Sequence, residues 1–131
     1  MSSFPSDRRY TEDHEWAKLE GDTALIGVSS HAVEQLGDIT LVSVDAGIGD
    51  QLEAGKAFGT IESVKTLSDL LAPISGTLLA INGDLEETPE LINDDCYDKG
   101  WMVKIKPSAP SEFEKLLDTS AYAEHVKSSA H

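Results

Sequence analysis

The stretch GTIESVKTLSD, residues 59–69, holds a single amine, Lys65, between the carboxylates of Glu62 and Asp69. No other basic residue lies between Lys56 and Lys99. A lysine amine on its long, unbranched stem can be acylated, which removes its charge and turns the side chain into a tether. The plain alternative is an ordinary surface lysine in a turn, since lysine side chains are mostly exposed.

Other residues that could do chemistry fall short of the patterns it requires. His14-Glu15 is not a metalloprotease motif, because Lys18 occupies the position of the second histidine. In GDQLEAGKA, Asp50 replaces the first glycine of a phosphate-binding loop and Ala57 follows the lysine. Gly47-Ile48-Gly49 lacks the third glycine of a dinucleotide fingerprint. NDDCYDKG does not place acids at the first, third and fifth positions of a calcium loop. Cys96 is the only cysteine, so there is no intrachain disulfide and no paired-cysteine metal or redox site. These residues supply no catalytic set and no metal set; His14 reads as a structural or surface histidine rather than a catalyst, and His31 and His125 have no partner evident in the sequence. Cys96 reads as a loop thiol.

The elements that must position Lys65 are short strands. HEWAKLE, TALIGVS and DITLVSV are apolar-rich and separated by turn signals at Gly21-Asp22 and Gly37-Asp38. Between them, SSHAVEQLG has a serine to cap a helix, Ala32, Val33 and Leu36 on one face, and Gly37 to end it. GIGDQLEAGKAFGTIESV predicts a turn, a short strand, a turn at Ala54-Gly55 and a longer strand. LSDLLAPISGTLLAI continues the β pattern, interrupted at Pro73 and Gly76. EETPELIN predicts a helical turn. WMVKIKP alternates, with Trp101, Val103 and Ile105 on one face. From Pro110, PSEFEKLLDTSAYAEHVKSS has helical spacing, with Pro110 at the first helical position and a frayed SSAH tail. LVSV…GDQLE before Lys65 and LLAINGDLE after it form a faint repeat, as if two similar β units met near the lysine.

One domain is expected over residues 1–131, with its core over about 14–107 and a C-terminal helical segment over about 110–128. Hydrophobic residues make up 40% of the chain but aromatic ones only 6%, so aliphatic side chains must fill most of the core, anchored by Trp16 and Trp101. A net charge of −14, from 24 acidic against 10 basic residues, repels phosphate backbones and excludes nucleic acid as a partner class. It favours positively charged protein partners. The apolar runs are too short to span a bilayer, and MSSFPSDRRYTEDHEW has neither the apolar stretch of a signal peptide nor the composition of a transit peptide. The expectation is a bacterial, cytoplasmic monomer with no membrane contact.

ESVKTLSDLLAPISG, at 62–76, resembles the lipoylation segment of the glycine cleavage system H proteins. YTEDHEW, GDTALIGVSSHAVEQLGDI, GDQLEAGKAFGTIESVK, TPELIN, KGWMVKIK and PSEFEKLLDTSAY follow in that family's order and spacing. The departures are Leu71, where the family often has an aromatic or polar residue, and Cys96, where it commonly has proline. The resemblance implies a mostly β fold: a flattened barrel or sandwich of two small sheets of the biotinyl/lipoyl (hammerhead) type, with short helices and a C-terminal helix. It places Lys65 at a hairpin tip, although Val-Lys-Thr is not favoured turn chemistry, and implies lipoate in amide linkage there. Glu15 and Asp69 match acidic positions of the cleft that receives the loaded arm, with Asp13 beside them. Read without the resemblance, Glu15 is an exposed strand carboxylate. Gly59, Gly76 and Gly100 match family glycines and are expected to allow tight turns.

The implied role is a non-catalytic carrier. Lipoyl-Lys65 would shuttle an aminomethyl group from glycine decarboxylase (P protein) to aminomethyltransferase (T protein), and electrons to dihydrolipoyl dehydrogenase (L protein). A lipoate-attaching enzyme is the remaining partner. Three alternatives share the architecture. Biotinyl domains flank their lysine with methionines where Val64 and Thr66 stand here. Lipoyl domains of 2-oxoacid dehydrogenases carry Asp-Lys-Ala and are shorter. The third is an H-like relay that passes lipoyl groups to other enzymes.

Overall fold

The computed structural model describes residues 4–109 and 111–129. The strands are β1 (Arg9–Tyr10), β2 (Glu15–Glu20), β3 (Thr23–Val28), β4 (Ile39–Val44), β5 (Gln51–Leu52), β6 (Ala57–Ser63), β7 (Leu67–Leu71), β8 (Gly76–Ile81) and β9 (Val103–Pro107). The helices are α1 (Ser30–Leu36), α2 (Asp84–Glu87), α3 (Leu91–Asp95), α4 (Ser111–Glu114) and α5 (Thr119–Ser129). The strands form a six-stranded sheet in the order β1-β2-β3-β9-β8-β5 and a three-stranded sheet in the order β4-β6-β7. Every pairing is antiparallel. Both sheets keep their own edges, so of the two expected forms the fold is the open sandwich, not a closed barrel.

The aliphatic core lies between the sheets. Ile26, Ile61, Leu70, Ile74, Leu78 and Ile105 are each at most 1% exposed, and burying a side chain of this size is worth about 1.5–3 kcal/mol. A second, aromatic cluster joins Tyr10, Trp16 and Tyr122. Tyr10 and Tyr122 stack at 4.4 Å between ring centroids. Trp16 lies opposite Gly27 across β2 and β3, where a Cβ would stand 2.7 Å from the indole. Its Nε1–H donates to the Val28 carbonyl at 2.9 Å. Trp101 is only half-buried and packs at the edge of this cluster.

Helix α1 forms as its sequence predicts: the Ser29 hydroxyl accepts from the Ala32 N–H, and Ala32 and Leu36 face the core. Four expectations need correction. The single helical turn of EETPELIN is two, α2 and α3, divided around Pro89, whose ring disfavours helical continuation. The C-terminal segment is α4 and α5, because Leu117 leaves the helical path to exchange backbone hydrogen bonds with Tyr10 at 2.8 and 2.9 Å. The Asp118 carboxylate then caps α5 by accepting from the Ala121 N–H at 2.8 Å. Pro110, Ala130 and His131 lie outside the described residues, and Ser128–Ser129 belong to α5 rather than to a frayed tail.

The third correction concerns the glycines. Gly59 and Gly76 sit inside β6 and β8, and neither has a positive φ. They are glycine because backbone comes close. A Cβ at Gly59 would overlap the Ser43 carbonyl, and one at Gly76 would stand 2.5 Å from the Lys106 carbonyl. Gly100 does lie in a turn, its N–H donating to the Asp95 carbonyl at 2.8 Å, and a Cβ there would stand 2.9 Å from the same carbonyl. Finally, Cys96 is no loop thiol: it is buried in the core at the end of α3, and burial pushes its thiol up to about 11.

Candidate functional site: a lysine hairpin and an acidic groove

Lys65 occupies the tight connection between β6 and β7, whose pairing runs to Glu62↔Leu67. The turn is made by a residue the sequence reading passed over. Alternation along β6 sends Ile61 and Ser63 to the same buried side, and the Ser63 hydroxyl accepts from both the Lys65 and the Thr66 N–H at 3.2 Å. The Ser63 N–H donates to the Thr66 carbonyl at 2.8 Å, and Val64 donates to Asp38 at 3.1 Å. A serine two residues before the lysine was the available signal, since serine hydroxyls close local turns.

The tip is exposed, with Val64 and Leu67 at 67% and 62% accessibility on either side of the lysine. The lysine stem leans toward Gly37, at the end of α1. A Cβ there would lie 3.4 Å from Lys65 Cε.

A groove of about 220 Å³ starts at Thr66, next to the lysine, and runs between β7 and the β1–β2 loop. Ser68 and Asp69 line one wall, and Asp13, His14 and Glu15 the other. Val28, Ala32, Leu36 and Ile61 contribute apolar surface. The three acidic residues singled out in the sequence thus share one groove with the lysine hairpin. Asp13 and Asp69 are exposed. Glu15 is not, contrary to the reading of it as an exposed strand residue: it is 4% exposed. Its Oε1 accepts from the Thr11 hydroxyl at 2.9 Å and its Oε2 from the Leu71 N–H at 3.3 Å. Burial pushes the Glu15 carboxyl up to about 7, against the pull of those two hydrogen bonds.

His14 closes the β1–β2 loop with φ of 74°, a left-handed conformation unusual outside glycine but better tolerated by histidine than by most residues. Its Nδ1 is 2.7 Å from the Tyr122 hydroxyl, which is 2.6 Å from the Ser29 hydroxyl. This chain ties the groove wall to α5 and to the cap of α1. Burial, followed by the neighbouring rings of His31 and His125, holds His14 down at about 4. It is therefore neutral at physiological pH and structural. The partners invisible in sequence are His14 itself, 4.6 Å from His31 between ring centroids, and the Glu12 carbonyl, 3.0 Å from His125 Nε2. Among the described residues, no three His, Cys, Asp or Glu side chains are placed to hold a metal ion, and no helix is long and apolar enough to cross a membrane.

The two small antiparallel sheets are those of a lipoyl-type domain, and Lys65 stands exposed on the hairpin between β6 and β7. The sequence model of the glycine cleavage H-protein matches residues 8–129. The chain is 51% identical over 120 residues to the glycine cleavage system H protein of Bacteroides thetaiotaomicron, covering 92% of this chain and 94% of that one. It is 45% identical over 122 residues to the H protein of Bacillus subtilis, covering 93% and 95%. The crystal structure of a glycine cleavage system H protein from Mycobacterium marinum superposes with a TM-score of 0.83 at 39% identity, covering 92% of this chain and 96% of that one. The chain belongs to the glycine cleavage H-protein family, and its role is that of a lipoylated carrier in the glycine cleavage system.

Proposed function

We propose that Lys65 is the lipoate attachment point, and that the acidic groove beside it receives the arm once it is loaded. The observation that carries this reading is the position of Lys65, exposed at the tip of a braced hairpin from which a groove leads directly to Asp69, Asp13 and Glu15. The residues present suit the group: a free amine on a flexible stem, and beyond it a groove with apolar surface and carboxylates at its walls. Bound there, lipoate supplies a dithiolane that accepts an aminomethyl group from glycine decarboxylase and afterwards carries two electrons to dihydrolipoyl dehydrogenase.

The chain's own residues do the rest. Ser63 fixes the direction in which the tether leaves, so one end of a long arm is held rigid while the other searches. Asp69 and Asp13 face an ammonium group that enters the groove, and Glu15 waits behind them in a drier position. Holding the cation there limits water at the loaded arm until the aminomethyltransferase draws it out. A single ion pair of this sort is worth about 1 kcal/mol once desolvation is counted. That favours the docked arm and still lets the next enzyme remove it. In this reading the chain is a non-catalytic monomer working as one domain over 1–131 in the cytoplasm. It raises the effective concentration of a tethered intermediate for its partner enzymes.

The test is intact mass with peptide mapping on protein from lipoate-competent cells. One lipoyl group is expected at Lys65 and none elsewhere, with Lys65→Arg folded and unmodified. A biotin adduct, or modification at Lys56, would falsify the assignment.

A further inference from the structure

Thr11 was not among the residues the sequence singled out, yet every polar capacity of its side chain is committed. Its hydroxyl oxygen accepts from the Asp13 N–H at 3.1 Å and from the Glu15 N–H at 3.2 Å. With its oxygen turned to two backbone donors, its one proton points to Glu15 Oε1 at 2.9 Å. The backbone reinforces this arrangement: the Thr11 N–H donates to the Glu15 carbonyl at 2.8 Å, and His14 N–H donates to the Thr11 carbonyl at 3.1 Å. Thr11 therefore closes the β1–β2 loop and aims a donor at the buried carboxylate in the same act. Leu71 N–H on β7 holds the other oxygen, so the carboxylate is suspended between the two sheets.

We propose that Thr11 is a positioning residue, whose hydroxyl orients the Glu15 carboxylate toward the groove that takes the loaded arm and favours its ionised form there. This rests on the reading of Glu15 as a carboxylate for that arm. A hydroxyl that can only donate favours the charged acceptor over the protonated one. The need is real, because Glu15 is buried and its surroundings do little to help. Asp13, Asp69 and His14 face it from the groove, the first two acidic and the third neutral. Tyr10, Glu12 and Lys115 share a second recess with it on the far side. Lys115 is the only full positive charge among these neighbours, while the Tyr122 hydroxyl is taken up with Ser29 and His14. Thr11 and Leu71 are the groups that contact the carboxylate and counter its burial.

The experiment has two readouts. The first needs no lipoate: carbon-detected NMR titration of the glutamate side-chain carboxyls in the unlipoylated protein, with Glu15→Gln assigning the resonance. Thr11→Val is expected to move the Glu15 midpoint alkaline by about half to one pH unit, the size of one ordinary lost hydrogen bond. Thr11→Ala should do the same if the valine variant folds poorly, and Thr11→Ser should restore the wild-type midpoint. The second readout is spontaneous loss of the aminomethyl group from the loaded holo-protein, followed as released formaldehyde between pH 6 and 9. At pH 7, Thr11→Val should lose it about two- to fivefold faster than wild type, and Thr11→Ser at the wild-type rate. An unmoved Glu15 midpoint in Thr11→Val and Thr11→Ala, or one that moves equally in Thr11→Ser, would overturn the role of Thr11 alone. Loss from Glu15→Gln at the wild-type rate would overturn the arm-docking role of Glu15, and this inference with it.

Discussion

Glu15 carries opposite demands at one position. A buried acid held at about 7, against an ordinary 4.5, binds its proton more tightly folded than unfolded. Its contribution to stability is therefore full below pH 4.5 and is lost as pH rises to about 7, at a cost of roughly 3 kcal/mol when fully ionised. Glu15→Gln keeps an acceptor for Thr11 and Leu71 without the charge. The variant should be more stable than wild type at pH 8 by about 1–3 kcal/mol and equal to it at pH 4.5, measured by urea denaturation at the two pH values. An equal difference at both would mean that Glu15 does not titrate on folding. Ser63 is the second single-residue test. With its hydroxyl gone, two tip N–H groups lose their acceptor. Ser63→Ala should cost about 1 kcal/mol and slow lipoylation of Lys65 several-fold, read as the time course of intact mass with a lipoate-attaching enzyme. An unchanged time course would show that the turn does not set how the lysine is presented.

Among the elements, β6 does the most for the site. It pairs with both β4 and β7, and its last residues become the lysine hairpin. The pairing with β7 shifts between Ala57 and Gly59, so Phe58 and Gly59 are buried in succession, as at a bulge. From there regular alternation carries Ile61 and Ser63 to the inner side. Gly59 can occupy this place only because it has no Cβ to meet Ser43. Gly59→Ala should destabilise the fold by about 1–3 kcal/mol. Gly83→Ala is the control: its Cβ would meet nothing within 4 Å and its φ is −63°, so the change should stay within about 0.5 kcal/mol. Chemical denaturation of both distinguishes close packing from a general intolerance of alanine.

At the scale of the whole molecule, a charge of −14 surrounds a tip whose exposed side chains include the apolar Val64 and Leu67. Lipoylation removes one more positive charge. Encounter with a partner enzyme is expected to be steered by charge and completed by contact at the tip. Affinity for glycine decarboxylase should therefore fall several-fold as ionic strength rises from roughly 0.02 to 0.2 M, across the range in which the screening length shortens through about 10 Å. Binding measured by titration calorimetry over that range gives the answer, and a flat profile would remove net charge from the encounter.

What the sequence determined by itself is what depends on neighbours along the chain. The existence of strands β2 and β3, the Val103–Ile105 alternation of β9, the Ser29 cap of α1, the turns at Gly21 and Gly37 and the isolation of Lys65 are all local, and each was legible. Even the hairpin was within reach, since Ser63 lies two residues from the lysine. The tertiary structure alone decided the rest, because burial and pairing come from residues far apart in the chain. Leu71, 56 positions on, meets the carboxylate of Glu15 and helps make it a buried acid. Tyr122, 108 positions on, gives His14 its partner. Leu117 breaks a good helical pattern because the edge of β1 offers it backbone hydrogen bonds that a helix would not have left free. Spacing reveals which face a side chain takes, but a dielectric, a hydrogen-bond partner or a missing Cβ is set by what folds against it.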